Sequence, residues 1–282
     1  MSETGRPAYP PPGHIIRHLR MNLELRSETE LHGTMPISDD VRDAGGALKM
    51  GALATLIDVA AGTYCHEMVR PDWLATADMK IHLRRPAMGD EVLCRTTTVR
   101  AGRRNIVSQT IVADVDGEIA RGWVTYTRLP RRDDSPPIEV ASRVGRHLIY
   151  VEDNEGEREN LDDYIGIDLD RVVVDTDDQT AFELDHSPRI HNSFGSLQGG
   201  AAAVLVERAA TLAIERRFGS PGRVTDLHVY YLGQTRAGPL KVEASVLRAD
   251  PGSLTSDVSI LDIGNDNQLL DLATATAIPI AT

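Results

Sequence analysis

Two stretches of the chain have the hydrophobic spacing of a buried helix. Apolar residues recur three or four positions apart over residues 53–64, and they do so again over residues 202–213. This spacing places the apolar side chains on one face of an α-helix. Each stretch follows a glycine and holds one acid among apolar neighbours, Asp58 in the first and Glu207 in the second. The pattern predicts two similar helices, each buried along one face.

After each helix, polar and apolar residues alternate in β-branched segments bounded by turn residues such as Asp116-Gly117. Such segments are typical of half-buried strands. One further strand is predicted before each helix, near residues 21–31 and 171–184. The strands that follow the helices are predicted at 77–83, 91–100, 106–115, 119–129, 226–232, 240–249, 253–263 and 269–280. A single helix wrapped by an antiparallel sheet is an α+β unit, and this chain contains two of them.

The two patterns are copies of one another. A shift of 149 residues carries Gly51 onto Gly200 and, within one residue along the way, continues to Pro130 and Pro279. The period is far longer than that of a solenoid, so the sequence indicates a duplicated domain. We assign residues 1–13 to a proline-rich disordered tail, 14–130 to the first unit, 131–143 to a linker and 144–282 to the second unit.

The composition of the chain limits the classes of function that it can have. The chain has 42 acidic and 30 basic side chains and a net charge of -12, which argues against nucleic acid or an anionic membrane as a partner. Cys65 and Cys94 are too few for a disulfide framework, and no metal-ligand spacing is present. No apolar run is long enough to span a bilayer. We therefore expect a soluble, cytoplasmic protein without a metal, and its aromatic content of 4% favours an aliphatic pocket.

The start of each helix has features that suit a chemical role. Glycines there let a ligand approach backbone N–H groups at the positive end of the helix dipole, which can stabilise an oxyanion. A carboxylate buried two turns further along would have a raised pKa and could act as a base. The same glycines could instead serve helix packing alone, and the same acids could simply face solvent.

The segment before the second helix carries the most specific signal, Asn192, Gly195, Leu197, Gly199 and Gly200, followed by Glu207. With these residues the chain resembles the hotdog-fold acyl-CoA thioesterases of the phenylacetate-pathway type, here as two hotdog units in one chain. Those relatives commonly have His where this chain has Gln198. The first unit departs further, because it retains Gly51 and Asp58 but has Asp43, Lys49 and Met50 at the other motif positions.

The resemblance implies active sites between the two units. One site would join Asp58 to Asn192 and the Gly199 amide, with Thr76 where relatives often carry Ser or Thr. The Gly199 amide would hold the oxyanion, Asp58 would activate water or attack directly, and Asn192 and Thr76 would orient the water or the carboxylate. The reciprocal site would join Glu207 to Asp43 and the Met50 amide. We expect crowding and like charge to weaken it, leaving one working and one decayed site.

The implied substrate is an acyl-CoA, which would supply coenzyme A as part of the substrate and not as a resident cofactor. Arg84, Arg85, Arg103 and Arg104, together with Gly200, are the predicted coenzyme A contacts, although the arginines could equally decorate a solvated rim. The resemblance also implies a homo-oligomer of such chains. A non-catalytic acyl-ligand-binding protein stays open as an alternative. A hydratase is a weaker alternative, since only His191 beside Asn192 hints at the Asp and His pair it would need.

Overall fold

The computed structural model describes residues 9–133, 142–152 and 158–280. Four α-helices lie at Ile15–His18 (α1), Met50–Val69 (α2), Leu161–Ile165 (α3) and Gly199–Phe218 (α4). The first seven strands are Asn22–Ser27 (β1), Glu30–Pro36 (β2), Trp73–Leu83 (β3), Glu91–Ala101 (β4), Asn105–Asp114 (β5), Gly117–Leu129 (β6) and His147–Ile149 (β7). The other six are Val172–Asp175 (β8), Gln179–Leu184 (β9), Gly222–Tyr231 (β10), Leu240–Asp250 (β11), Ser253–Asp262 (β12) and Gln268–Pro279 (β13).

All thirteen strands form one antiparallel sheet that curls around the two long helices, which confirms the predicted α+β class and its duplication. The strand order is β7-β1-β2-β4-β5-β6-β3-β10-β13-β12-β11-β9-β8. The two units join where β3 pairs with β10, from Asp78 opposite Tyr230 to His82 opposite Asp226. The duplication therefore builds a pseudo-dimer with a continuous sheet.

The long helices form in both units because their small and aliphatic residues can be buried on several sides at once. Residues 50–61 of α2 are all buried, and nearly all of residues 200–211 of α4 are buried. The helices cross closely: a Cβ atom on Gly51 would lie 2.6 Å from the Val204 Cα, and one on Gly200 would lie 2.5 Å from the Thr55 Cα. Glycine at these two positions is therefore required by the helix packing.

Several predicted boundaries are wrong. The segments expected to be single strands before each long helix are hairpins, β1 with β2 and β8 with β9, because polar residues form tight turns within them. The short strand β7 falls in the predicted second unit and pairs with β1 of the first. Most of the predicted linker, residues 134–141, lies outside the described residues.

Residues 1–8 of the predicted tail lie outside the described residues, and the last residues of the tail make contacts with distant parts of the chain. The Tyr9 hydroxyl donates to the His191 carbonyl at 3.3 Å, and the Gly13 N–H donates to Glu152 at 2.7 Å. Contacts made far away in sequence thus fix a segment that lacks any apolar period of its own. No helix in the described part of the chain is long and apolar enough to cross a membrane.

Candidate active site

A cavity of about 1160 Å³ opens between the two units at the start of α4. Asp58, on α2 of the first unit, lines one wall, and Gln198 and Gly199, at the start of α4 of the second unit, line the other. A site shared between the units is what the sequence analysis predicts. Six of the twelve aromatic side chains also line it, so the expectation of an aliphatic lining is wrong: Tyr9, Trp73, Tyr126, Tyr150, Phe194 and Tyr231.

The Asp58 carboxylate is buried and held by side-chain donors from both units. Its Oδ2 accepts from Gln198 Nε2 at 2.8 Å, and its Oδ1 accepts from the Thr76 hydroxyl at 3.2 Å. The Tyr126 hydroxyl donates to the Asp58 carbonyl oxygen at 2.9 Å and also reaches Oδ1 at 3.3 Å. Burial raises the pKa of Asp58 to about 6, although these donors and the Gly200 amide pull it down. The carboxylate is therefore a fixed base close to neutrality.

Gln198 owes its position to the helix start, where it is the N-cap residue. Its Oε1 accepts from the Ala201 N–H at 2.8 Å, which leaves its Nε2 pointing at Asp58. In the sequence Gln198 is only a departure from the family's His, and its contact with the carboxylate is not predicted. Its place immediately before two glycines was the available signal, because that is where a helix cap belongs.

Gly199 lies against the Asp58 carboxylate. A Cβ atom on Gly199 would lie 2.9 Å from Asp58 Oδ2, so only glycine leaves room there. Among the described residues none accepts a hydrogen bond from the Gly199 N–H, whereas the Ala201 and Ala202 N–H groups both bond to Gln198. The Tyr231 hydroxyl donates to the Gly199 carbonyl at 2.9 Å and fixes this peptide from the other side. A free amide beside a buried base can hold an oxyanion.

Asn192 lines the cavity but its amide group is used inside its own loop. Its Oδ1 accepts from the Phe194 and Ser196 N–H groups at 2.9 and 3.1 Å, and its Nδ2 donates to the Leu197 carbonyl at 3.3 Å. Asn is favoured in such turns because its side chain mimics a backbone group. The side-chain amide of Asn192 therefore shapes the loop before α4 and makes no hydrogen bond to the Asp58 carboxylate.

The reciprocal site has a different geometry. Glu207 accepts from the Met50 N–H at 2.7 Å and from the Gly51 N–H at 2.7 Å, one at each carboxylate oxygen. The extra methylene of Glu relative to Asp lets one side chain cap both amides. The amide that corresponds to Gly199 is therefore occupied by the protein itself. Glu207 does not line the large cavity.

Lys49 and the short helix α3 lie over this second position. Lys49 Nζ, at the place of Gln198, is 2.8 Å from Asn160 Oδ1 and 2.9 Å from Asp162 Oδ1. Burial raises the pKa of Glu207 to about 7, and the nearby Lys49 ammonium opposes that shift. The predicted repulsion by Asp43 is wrong, because Asp43 forms an ion pair with Arg223 at 2.6 Å.

The predicted coenzyme A contacts separate into two groups. Arg84 and Arg85 are engaged on the protein surface, by Glu118 at 3.4 Å and by Asp114 respectively. Arg103 and Arg104 are exposed and line a smaller cavity of about 400 Å³ together with Asp72, Arg128 and Pro130. Trp73 and Leu129, which follow Asp72 and Arg128 in the sequence, line the large cavity. Gly200 faces the helix crossing, with no room for a ligand.

Comparison with known proteins supports the hotdog fold. A putative thioesterase from Novosphingobium aromaticivorans superposes with a TM-score of 0.62 at 11% identity, covering 92% of this chain and 98% of that chain. A putative oleoyl thioesterase from Lactobacillus plantarum gives 0.61 at 13% identity, covering 92% and 98%. The tesB protein of Mycobacterium avium subspecies paratuberculosis gives 0.59 at 10% identity, covering 92% and 96%.

At these identities the structural likeness shows the fold alone, and no curated protein sequence matches the chain. A family model described as the thioesterase superfamily matches residues 45–120 and 194–266, one segment in each unit. Those segments contain both long helices and hold Asp58, Gln198 and Gly199. The chain therefore belongs to the thioesterase superfamily, with a double hotdog fold.

Proposed function

We propose that the chain hydrolyses an acyl-CoA to the free acid and coenzyme A at the site formed by Asp58, Gln198 and Gly199. The observation that carries this proposal is the pairing of a buried carboxylate with a free amide across the unit boundary. The two groups belong to different units, and Gln198 links them by bonding to both Asp58 and the helix start. Such a pair provides a base and an oxyanion donor for acyl transfer to water.

The reaction follows from that geometry. The thioester carbonyl oxygen accepts from the Gly199 N–H, which favours the negative charge that develops during attack. Asp58 takes a proton from water while the water oxygen bonds to the carbonyl carbon. The carbon–sulfur bond then breaks, and the thiolate leaves with the proton that Asp58 returns. Thr76 and Gln198 keep the carboxylate in place throughout, and Tyr126 anchors the Asp58 backbone.

The hydrogen bonds at the Asp58 and Glu207 positions differ in a way that supports one working site per chain. At the reciprocal position both helix-start amides donate to Glu207, so an incoming carbonyl finds no donor there. Lys49 is bonded to Asn160 and Asp162, which places α3 next to the start of α2. Glu207 has become a cap for that helix.

The activity is tested by mixing the purified protein with acetyl-, hexanoyl-, octanoyl- and phenylacetyl-CoA and following free thiol with a colorimetric reagent. We expect thiol release from at least one of these thioesters. Saturable binding with no thiol release would instead identify a non-catalytic acyl-CoA-binding protein. Release that is unaffected by any substitution at the Asp58 site would place the chemistry elsewhere.

The pH dependence of hydrolysis should report Asp58. Its carboxylate acts as a base only when ionised, and burial raises its pKa from 3.8 to about 6. We therefore expect kcat/KM to fall as the pH drops through about 6. Burial lowers the pKa of the cavity residue His66 to about 4, so this histidine is already neutral at pH 6 and does not contribute to the transition. Initial rates in a constant-ionic-strength buffer series measure the profile.

The Thr76→Val variant tests whether Asp58 is the group that titrates in this pH profile. The Thr76 hydroxyl stabilises the ionised carboxylate and lowers the pKa of Asp58. Its removal should move the midpoint of the profile to higher pH while the protein stays folded, because Val has nearly the same shape. A midpoint near 4, or one that does not move in this variant, would contradict the assignment of the base.

The proposal includes the phosphates of coenzyme A, which Arg103 and Arg104 would bind. Arg103 and Arg104 have side chains without a partner among the described residues, and they line the smaller cavity. The Arg103→Ala/Arg104→Ala double variant should raise KM for octanoyl-CoA several-fold with little change in kcat, because each lost phosphate contact weakens binding. Octanoyl-pantetheine, which lacks the nucleotide, should show no such change.

The Arg84→Ala/Arg85→Ala double variant is the control for this experiment. It also removes two positive charges from the first unit, but these side chains already pair with Glu118 and Asp114. We expect its KM for octanoyl-CoA to stay close to that of the wild type. A larger increase in KM here than in the Arg103/Arg104 variant would reverse the assignment.

A further inference from the structure

The large cavity contains a second buried carboxyl group, Asp271 on β13, that the proposed chemistry does not use. Asp271 lines the cavity and only 4% of its surface is exposed. Across residues 9–133, 142–152 and 158–280, nothing hydrogen-bonds to or forms an ion pair with its carboxyl group, and burial alone raises its pKa to about 8. Burying an unpaired carboxyl group costs free energy unless a partner satisfies it.

The local backbone directs this side chain inward. In the pairing of β12 with β13, Ile260 lies opposite Asp271 while Leu261 lies opposite Leu269, so Leu270 is an extra residue. This β-bulge buries the consecutive residues Leu270 and Asp271 on the inner face. Bulges often redirect a side chain beside an active site.

The first unit has the same bulge with a different residue. In the pairing of β5 with β6, Val112 lies opposite Ala120 and Ala113 lies opposite Glu118, which makes Ile119 the extra residue. Ala120 thus corresponds to Asp271, and it is fully buried. The fold therefore accepts alanine at this position, and the carboxyl group of Asp271 is not needed to form the bulge.

Tyr231 connects Asp271 to the Gly199 peptide. The Tyr231 hydroxyl donates to the Gly199 carbonyl at 2.9 Å, while its backbone pairs with that of Asp271. The Tyr231 side chain thus spans from the backbone beside Asp271 to the peptide that would hold the oxyanion. A ligand group that reaches Asp271 lies several atoms beyond the thioester carbonyl.

We propose that the acyl group of the substrate carries an uncharged hydrogen-bonding group, such as a hydroxyl, several carbons from the thioester, and that Asp271 binds it. This inference rests on the proposed thioesterase activity and narrows its substrate class. A buried carboxyl group without a nearby cation is protonated at neutral pH, so it both donates and accepts hydrogen bonds. A hydroxyl group matches both capacities, whereas a plain hydrocarbon leaves the carboxyl group unsatisfied.

The test compares octanoyl-CoA with its derivatives hydroxylated on carbon 3, 5 or 8. For the wild type we expect kcat/KM for the 5- or the 8-hydroxylated compound to exceed that for octanoyl-CoA about tenfold, the factor that corresponds to one good hydrogen bond. The 3-hydroxylated compound, whose hydroxyl lies next to the thioester, should show no such gain. In the Asp271→Ala variant, which reproduces Ala120 of the first unit, this preference should vanish while octanoyl-CoA is hydrolysed at least as fast. The Asp271→Asn variant should retain part of the preference, because its amide still donates and accepts.

Three results would overturn the inference. The wild type could show no preference for the 5- or the 8-hydroxylated compound, the preference could survive in the Asp271→Ala variant, or 8-aminooctanoyl-CoA could be favoured over all the hydroxylated compounds. Absence of thiol release from every thioester would instead defeat the proposed thioesterase activity. In that case, titration calorimetry of the same thioesters against wild type and Asp271→Ala would measure the preference as a difference in Kd.

Discussion

Replacing Asp58 by Asn should lower kcat for acyl-CoA hydrolysis by about 100-fold to 10,000-fold, the range that a general base contributes. Asn retains the shape of the side chain and can still bond to Thr76 and Tyr126, but it cannot take a proton from water. Initial rates of thiol release at pH 7.5 measure the loss. Near-UV circular dichroism establishes that the variant is folded.

Glu207→Gln is the matched control, since Glu207 occupies the corresponding helix position in the other unit. It caps the Met50 and Gly51 amides and does not line the cavity. Gln can accept from only one of those amides through its oxygen, so we expect a lower melting temperature. The rate of hydrolysis should stay within about threefold of the wild type, a change of under 1 kcal/mol in the barrier. A rate lost in Glu207→Gln and retained in Asp58→Asn would show that the other site is the working one.

Replacing Gly200 by Ala should reduce the free energy of unfolding by about 1 to 3 kcal/mol or more, as overpacking does in a close-packed interior. The added methyl group would lie 2.5 Å from the Thr55 Cα and 2.6 Å from its Oγ1. The Cα belongs to the backbone of the other long helix and cannot move aside without separating the two units. Urea unfolding curves with an unchanged slope measure the difference.

Gly62→Ala is the control for this experiment, because Gly62 also lies within a long helix. The nearest atom to its added methyl group would be the Tyr126 hydroxyl oxygen at 3.4 Å, an ordinary contact. Alanine in a helix interior is favoured over glycine by about 0.5 to 1 kcal/mol, so this variant should be at least as stable as the wild type. Equal stability of Gly200→Ala and the wild type would show that the helices can separate without cost.

The sequence predicts the repeated unit because periodicity is a local property. The spacing of apolar residues in α2 and α4 and the alternation in the strands after them depend only on which face each residue occupies. The hairpins before each helix were missed because a two-residue turn of ordinary polar residues, Glu28 and Thr29, interrupts the alternation very little. The pairing of β7 with β1 could not be predicted because it joins residues distant in sequence.

The candidate site was only partly predictable, because some of its contacts join residues that are distant in sequence. Asp58, Thr76 and Gly199 were identified from motif positions, and the structure brings them to one cavity. The bond from Gln198 to Asp58 spans the unit boundary, and no local pattern signals it. Asp271 stands in an alternating strand, where a one-residue bulge decides which face it occupies.

By itself, the sequence determined two copies of one α+β unit, each with an acid two turns into its buried helix. Only the tertiary structure decided which copy retains a free amide. Asp58 and Glu207 occupy equivalent positions, yet one extra methylene lets Glu207 bond both helix-start amides of its partner unit, whereas Asp58 is held by Gln198 and leaves the Gly199 amide open. That difference depends on the distance between two helices at their crossing, which is set by the close packing of Gly51 and Gly200 and is not encoded in either segment alone.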